Sequence, residues 1–125
     1  MAFERYVKNR RQRRPTASLW QRGQIGLNQG AVHQFRLGDY TRVVLFFERE
    51  TQRIGLQFTK DDVPESVTLT HGTTGVCFAA RQFLHCYGIA YRETRRYPIA
   101  FDDTSGLYII DLQHPLSSYP EEPAS

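Results

Sequence analysis

The sequence predicts a mainly β, α+β fold: a small barrel built from two pseudo-repeated strand–helix–hairpin units. Three observations predict it. First, the stretch from Gly23 to Phe58 reads as a short strand (GQIGLN), a short helix (QGAVHQFRL) and a hairpin (TRVVLFF, ERETQR, IGLQF), and Gly75 to Leu112 runs through the same order (GVCFA, ARQFLHCYGI, YPIAF, DDTSG, LYIIDL). Second, 125 residues with 40% apolar side chains, eight Phe and seven Tyr suit one core, in a single domain or in two very small halves that share it. Third, a single unit of this kind leaves hairpin edges and an apolar face uncovered, which a second unit can cover.

The elements follow in chain order. Residues 1–15 form a basic arm, in which Phe3, Tyr6 and Val7 make one apolar turn of a helix. The run KNRRQRR after it has nothing to bury. Pro15 disfavours helix at Arg14 and closes the segment. Residues 16–112 form the barrel domain. TASLW (16–20) suits a strand, with Trp20 expected in the core because Trp is mostly buried; exposed beside Arg22, it would be able to stack on a base. Ile25 and Leu27 share one face of the next strand. Asn28 is placed to cap a helix whose apolar face is Ala31, Val32, Phe35 and Leu37, ended by Gly38-Asp39. Such a short helix needs tertiary packing to form. Val43 to Phe47, the polar ERETQR turn and the alternation of Ile54, Leu56 and Phe58 make the clearest hairpin.

The linker 59–74 is rich in Asp, Thr, Gly and Pro and holds a candidate strand at VTLT (67–70). His71-Gly72-Thr73-Thr74-Gly75 looks like a phosphate loop but lacks the Gly-Lys-Ser/Thr ending, so it reads as a turn. In the second unit Val76 and Phe78 match Ile25 and Leu27, and Phe83, Leu84, Tyr87 and Ile89 match the first helix face with one residue inserted. Gly88 is placed as a left-handed cap after the helix. Ile99 and Phe101 match Leu45 and Phe47, and Ile110 and Leu112 match Leu56 and Phe58. This shared order of apolar positions suggests a duplicated unit, 23–58 and 75–112. Residues 113–125 are a Pro- and Ser-rich tail with Glu121 and Glu122, expected to be poorly ordered.

Charge is distributed unevenly. Arg5, Lys8, Arg10, Arg11, Arg13, Arg14 and Arg22 against Glu4 put +6 on residues 1–22, and the total of +3 leaves −3 on the remainder. A basic arm on a mildly acidic body points to a polyanion, either nucleic acid or an acidic protein surface; a solvated tail fits the same composition. No apolar run approaches the ~20 residues of a membrane span. The first 22 residues lack the apolar segment of a secretory signal. Cys77 and Cys86 match no metal-ligand spacing and read as buried free thiols of a cytoplasmic protein. No cofactor or metal is expected. His33, His71, His85 and His114 are scattered, and Cys86 and His85 are neighbours whose side chains diverge on a helix. Asp102-Asp103 lies in a turn, where Asp is favoured for backbone reasons. These features argue against an enzyme.

Gly23-Gln24-Ile25-Gly26-Leu27, then Phe35, Leu37, Gly38 and Asp39, then the hairpin strands 43–47 and 54–58, resemble a swapped-hairpin domain of the AbrB and MazE type. The resemblance covers about 36 residues and, more faintly, the repeat. It implies two interlocked units in one barrel, here within a single chain as in the MraZ proteins. It also implies DNA binding by a transcriptional regulator or antitoxin-like factor. The sequence departs from the family pattern: Asn28 stands where the family usually has Pro, Val32 and His33 stand where it often has Arg, and the basic residues those proteins offer from the barrel are largely missing. Nucleic-acid binding is therefore expected from the arm, through phosphate contacts at Arg5, Lys8, Arg10, Arg11, Arg13, Arg14 and Arg22. The second expectation is a protein-interaction or assembly module using the same arm. A homo-oligomer is compatible with either.

Overall fold

The computed structural model describes residues 14–116. The helical turn of residues 3–7, most of the basic arm and residues 117–125 lie outside that range. Nine strands and two short helices are arranged as a small, nearly closed antiparallel barrel. The strands are β1 (Thr16–Trp20), β2 (Gln24–Asn28), β3 (Arg42–Glu48), β4 (Arg53–Thr59), β5 (Val67–Thr68), β6 (Thr70–His71), β7 (Gly75–Ala79), β8 (Arg95–Asp102) and β9 (Leu107–Asp111); the helices are α1 (Gln29–Phe35) and α2 (Arg81–Cys86). Their order around the sheet is β5-β3-β4-β9-β8-β1-β2-β7-β6. The two end strands are consecutive in the chain, with only Leu69 between them. Val67 and Thr68 pair with β3, and Thr70 and His71 pair with β7. This one extended segment therefore bridges the two edges of the sheet, with the Leu69 N–H donating to the Thr41 carbonyl at 2.8 Å. Closure of this kind leaves few unpaired edge groups.

Period-two alternation sets which side chains enter the barrel. Ala17 and Leu19, Ile25 and Leu27, Ile54 and Leu56, Val76 and Phe78, Tyr97 and Ile99, and Ile110 are all buried. Tyr40, Phe58, Tyr108, Phe35 and Phe101 form a chain of ring contacts with centroids 4.5–6.0 Å apart. A second aromatic cluster joins Phe47, Phe83 and Tyr87. Each helix thus reaches a hairpin distant in sequence: Phe35 of α1 meets Tyr108 of β9, and Phe83 of α2 and Tyr87, its C-cap, meet Phe47 of β3.

Local signals place the helix ends. The Asn28 side chain accepts from the Ala31 N–H at 2.9 Å and from the Thr16 N–H at 3.1 Å, so one residue caps α1 and fixes the start of β1. The Gly88 N–H donates to the His85 carbonyl and the Ile89 N–H to the Leu84 carbonyl, with Gly88 at φ +65°. These bonds close α2 in a Schellman arrangement, over a buried Ile89. The end of α1 differs from expectation: Arg36 takes the left-handed conformation at φ 56°, and Leu37–Asp39 form a 3₁₀ turn. The His71–Gly75 stretch is the turn between β6 and β7, with the Gly72 N–H on the Gly75 carbonyl at 2.8 Å. A strand follows it, not the helix of a phosphate loop.

Two burial expectations are corrected. Trp20 lies on the outside of the barrel and is half-buried, because Ala17 and Leu19 hold the inward phase of β1. Its benzo ring sits over Gly26, where a Cβ would stand 2.5 Å from Cη2 and 2.6 Å from Cζ2. The cysteines are not buried: Cys77 is half-buried on the outward side of β7 opposite Gly26, and Cys86 is exposed. Leu84 takes the buried side of a six-residue helix and leaves Cys86 outside.

Candidate functional site

The β1–β2 turn and the start of β8 build a basic surface. Ser18 and Leu19 of β1 pair with Arg96 and Arg95 of β8, so the arginines stand beside the strand that carries Trp20. The turn after Trp20 is tied to the segment before β8: the Gln21 N–H donates to Thr94 Oγ1 at 3.3 Å, and its side-chain amide donates to the Arg92 carbonyl at 3.0 Å. The turn is tied to α2 as well. Arg81 donates to the Arg22 carbonyl at 3.2 Å, and the Ala80 N–H to the Gly23 carbonyl at 2.9 Å. Arg22, Arg81, Arg92, Arg95 and Arg96 are thereby gathered from three separated stretches at one end of the barrel, and all are exposed. Glu93 is the acid among them, 3.5 Å from Arg95 and itself exposed, a geometry that contributes little.

A groove of about 530 Å³ opens beside this patch. Its walls are Ser18, Trp20, Glu93, Thr94, Arg95 and Arg96, and the chain's Pro115 and Leu116 border it. The Leu116 N–H donates to the Arg96 carbonyl at 2.7 Å and holds that border in place. The groove combines an indole surface, two hydroxyls, two guanidinium groups and one carboxylate, Glu93, which sits 3.5 Å from Arg95. These suit a flat, anionic ligand better than a reacting one.

The sequence-predicted basic set is divided. Arg22 belongs to the patch. Arg14 is exposed at the opposite end of β1, where its carbonyl accepts from Asn28 at 2.8 Å, roughly 15–20 Å away at a strand rise of ~3.3 Å per residue. Arg5, Lys8, Arg10, Arg11 and Arg13 lie outside the described residues. Sequence reasoning missed Arg81, Arg92, Arg95 and Arg96. The signal was the run RETRR at 92–96, three arginines in five residues leading into β8. The −3 assigned to everything after residue 22 concealed it.

Compared with protein-family models, with curated proteins and with solved structures, the chain has no match. The site therefore rests on its own geometry.

The other polar groups are engaged in holding turns. Asp102 accepts from the Ser105 hydroxyl at 2.7 Å and N–H at 3.0 Å, and these bonds hold its carboxyl below the ordinary value. Burial works to raise Asp111, but the Gln113 N–H and the His114 ring outweigh it and hold it low as well. Arg42 donates to Ser66 Oγ at 2.6 Å, to the Ser66 carbonyl at 2.9 Å and to Thr68 Oγ1 at 3.0 Å, with Asp62 at 3.6 Å. It pins the linker onto β3. Among the described residues no group of three or more His, Cys, Asp and Glu could hold a metal ion, and no helix is long and apolar enough to cross a membrane.

Proposed function

We propose that the chain is a small non-enzymatic nucleic-acid-binding protein. The reading rests on one observation: five arginines from three separated stretches converge around a half-buried Trp at one end of the barrel. Guanidinium groups meet phosphates bidentately, and a basic surface joined to a basic arm multiplies phosphate contacts.

A two-unit architecture of the AbrB and MazE type supports the same reading. The register favours it. A shift of 54 residues carries the β3–β4 pairing, Leu45↔Leu56 and Phe47↔Ile54, onto the β8–β9 pairing, Ile99↔Ile110 and Phe101↔Tyr108. The cross-pairs are self-consistent about Gly26↔Cys77 and Gly55↔Ile109, as a two-fold exchange of the halves requires. Exchanging β2 with β7, β3 with β8, β4 with β9, and β1 with the 67–71 segment leaves the sheet order unchanged. Each helix packs on the other unit's hairpin, as interlocked units would. A regulator or antitoxin-like role in the cytoplasm is what the family resemblance adds.

A second reading, an assembly module whose basic arm meets an acidic protein surface, is favoured by the exposed Phe46 and Phe101, 42% and 48% accessible. Binding of labelled duplex DNA across a salt series separates the two. The full chain binds with log K falling steeply against log salt, by about 0.9 per phosphate neutralised. Removing residues 1–13 flattens the slope, and Arg22→Gln with Arg92→Gln flattens it further. Absence of binding at low salt would overturn the proposal.

A further inference from the structure

We infer that the groove beside Trp20 takes one unpaired base of a single-stranded nucleic acid. The base stacks on the indole, and the adjoining phosphates meet Arg95 and Arg22. This rests on the nucleic-acid reading above and narrows it to a strand form.

Trp20 is the single Trp of the chain, and it points outward from β1 while Ala17 and Leu19 fill the core. Its position is built in from a distance. Gly26 lies on the neighbouring strand, directly opposite Ser18, and a Cβ there would come within 2.5 Å of the ring. The absent side chain lets the indole lie against the sheet. Trp20 also lines the groove. A large aromatic held against a barrel wall, half-open to solvent, is a stacking platform, and every base has a π-face to offer it.

The surroundings decide the chemistry of the occupant. Ser18 and Thr94 place hydroxyls at the groove, able to donate to or accept from a base edge. Arg95 stands at its rim, and Arg22 and Arg92 stand on the adjoining turn and loop, which Gln21 ties together. Glu93 also lines the groove, on an exposed contact to Arg95 that contributes little; an aromatic face, small hydroxyls and guanidinium groups that outnumber this one carboxylate together fit a nucleotide. Paired strands offer the platform nothing, because in a duplex both faces of each base are already stacked; the indole meets a base face only when the base is unpaired. Neither described helix, of seven and six residues, contributes a residue to the groove wall, so the groove reads a strand from a sheet surface.

The single Trp makes the test direct. Fluorescence of the full chain, excited where the tyrosines are silent, is titrated with oligo-dT, with a duplex of equal length, and with polyglutamate. Binding is followed in parallel by the anisotropy of a labelled oligonucleotide. The proposal expects saturable quenching by oligo-dT, weaker quenching by duplex and none by polyglutamate. Trp20→Ala lowers oligo-dT affinity about tenfold with duplex affinity unchanged, and Trp20→Phe recovers most of the loss. Arg95→Gln keeps the indole reporter: it weakens oligo-dT binding and preserves quenching at saturation. Binding of oligo-dT with no quenching, or with Trp20→Ala as tight as the parent, overturns the groove and leaves the nucleic-acid reading standing. No binding of either strand form at low salt overturns both. Equal quenching by polyglutamate overturns the base and points to an acidic protein partner.

Discussion

Replacing Gly75 with Ala should remove much of the stability of the barrel, whereas the same change at Gly88 should remove little. Both glycines have positive φ, +149° and +65°. They differ in what a Cβ would meet. At Gly88 nothing lies within 4 Å, so the change meets only the left-handed conformation, about 1–2 kcal/mol. At Gly75 the Cβ would stand 1.9 Å from the Leu27 carbonyl oxygen and 3.0 Å from its carbon. Those are backbone atoms of β2 and cannot rotate aside. The chain must either move β7 away from β2 at the Asn28↔Gly75 pair or abandon the φ. Backbone strain of about 1–3 kcal/mol and the loss of one or two ladder bonds at about 1 kcal/mol each give a cost of about 2–5 kcal/mol. A domain of this size has roughly 5–15 kcal/mol in total. Urea unfolding followed by circular dichroism measures the two variants side by side. Faster amide exchange at Val76 and Leu27 in the Gly75 variant would place the damage at the seam. If Gly75→Ala costs no more than Gly88→Ala, the β2–β7 register is wrong, and with it the path by which the sheet closes.

Other predictions follow from single contacts. Asn28→Ala removes the cap on Ala31 and the bond to Thr16, and should cost about 1–2 kcal/mol in the same unfolding assay. Leu56→Ala empties a fully buried position and should cost about 2–5 kcal/mol, while the adjacent, exposed Gln57→Ala should stay within about 0.5 kcal/mol. Arg42→Met releases Ser66 and Thr68 and should speed tryptic cleavage after Lys60 without changing the core. Burial raises the Tyr97 phenol above its ordinary 10.0, with Arg95 opposing it. Because the folded value lies above the unfolded one, its contribution is complete below about pH 10.0 and is lost as pH rises through the raised value. Tyr97→Phe should therefore flatten the alkaline fall in stability measured by urea unfolding.

Local chemistry made much of the fold legible. The 43–58 hairpin carries its alternation and its polar turn in one continuous stretch. Asn28 and Gly88 act on backbone groups within a few residues, so their cap roles could be read directly. What escaped the sequence depends on distant partners. The sequence marks 67–70 as a candidate strand, but not its division between two partners, β3 and β7, which closes the sheet. Trp20 reads as core by residue type; its outward position follows from the phase set by Ala17 and Leu19 and from the space left by Gly26. The site was half legible. Arg22 could be named from the basic N-terminal region, but its neighbours Arg81, Arg92 and Arg95 join it only through contacts spanning about 60–70 residues of chain. A charge sum over the body averaged their cluster away against acids placed elsewhere, such as Asp61, Asp62 and Asp103.

The central claim is that the barrel end around the β1–β2 turn faces a nucleic acid. Amide chemical-shift mapping of the full chain with an oligonucleotide tests it most directly. The account predicts perturbations concentrated at residues 18–22, 81 and 92–96 that diminish with added salt. Perturbations confined to the opposite end of β1 around Arg14 and Asn28, or none at low salt, would contradict it.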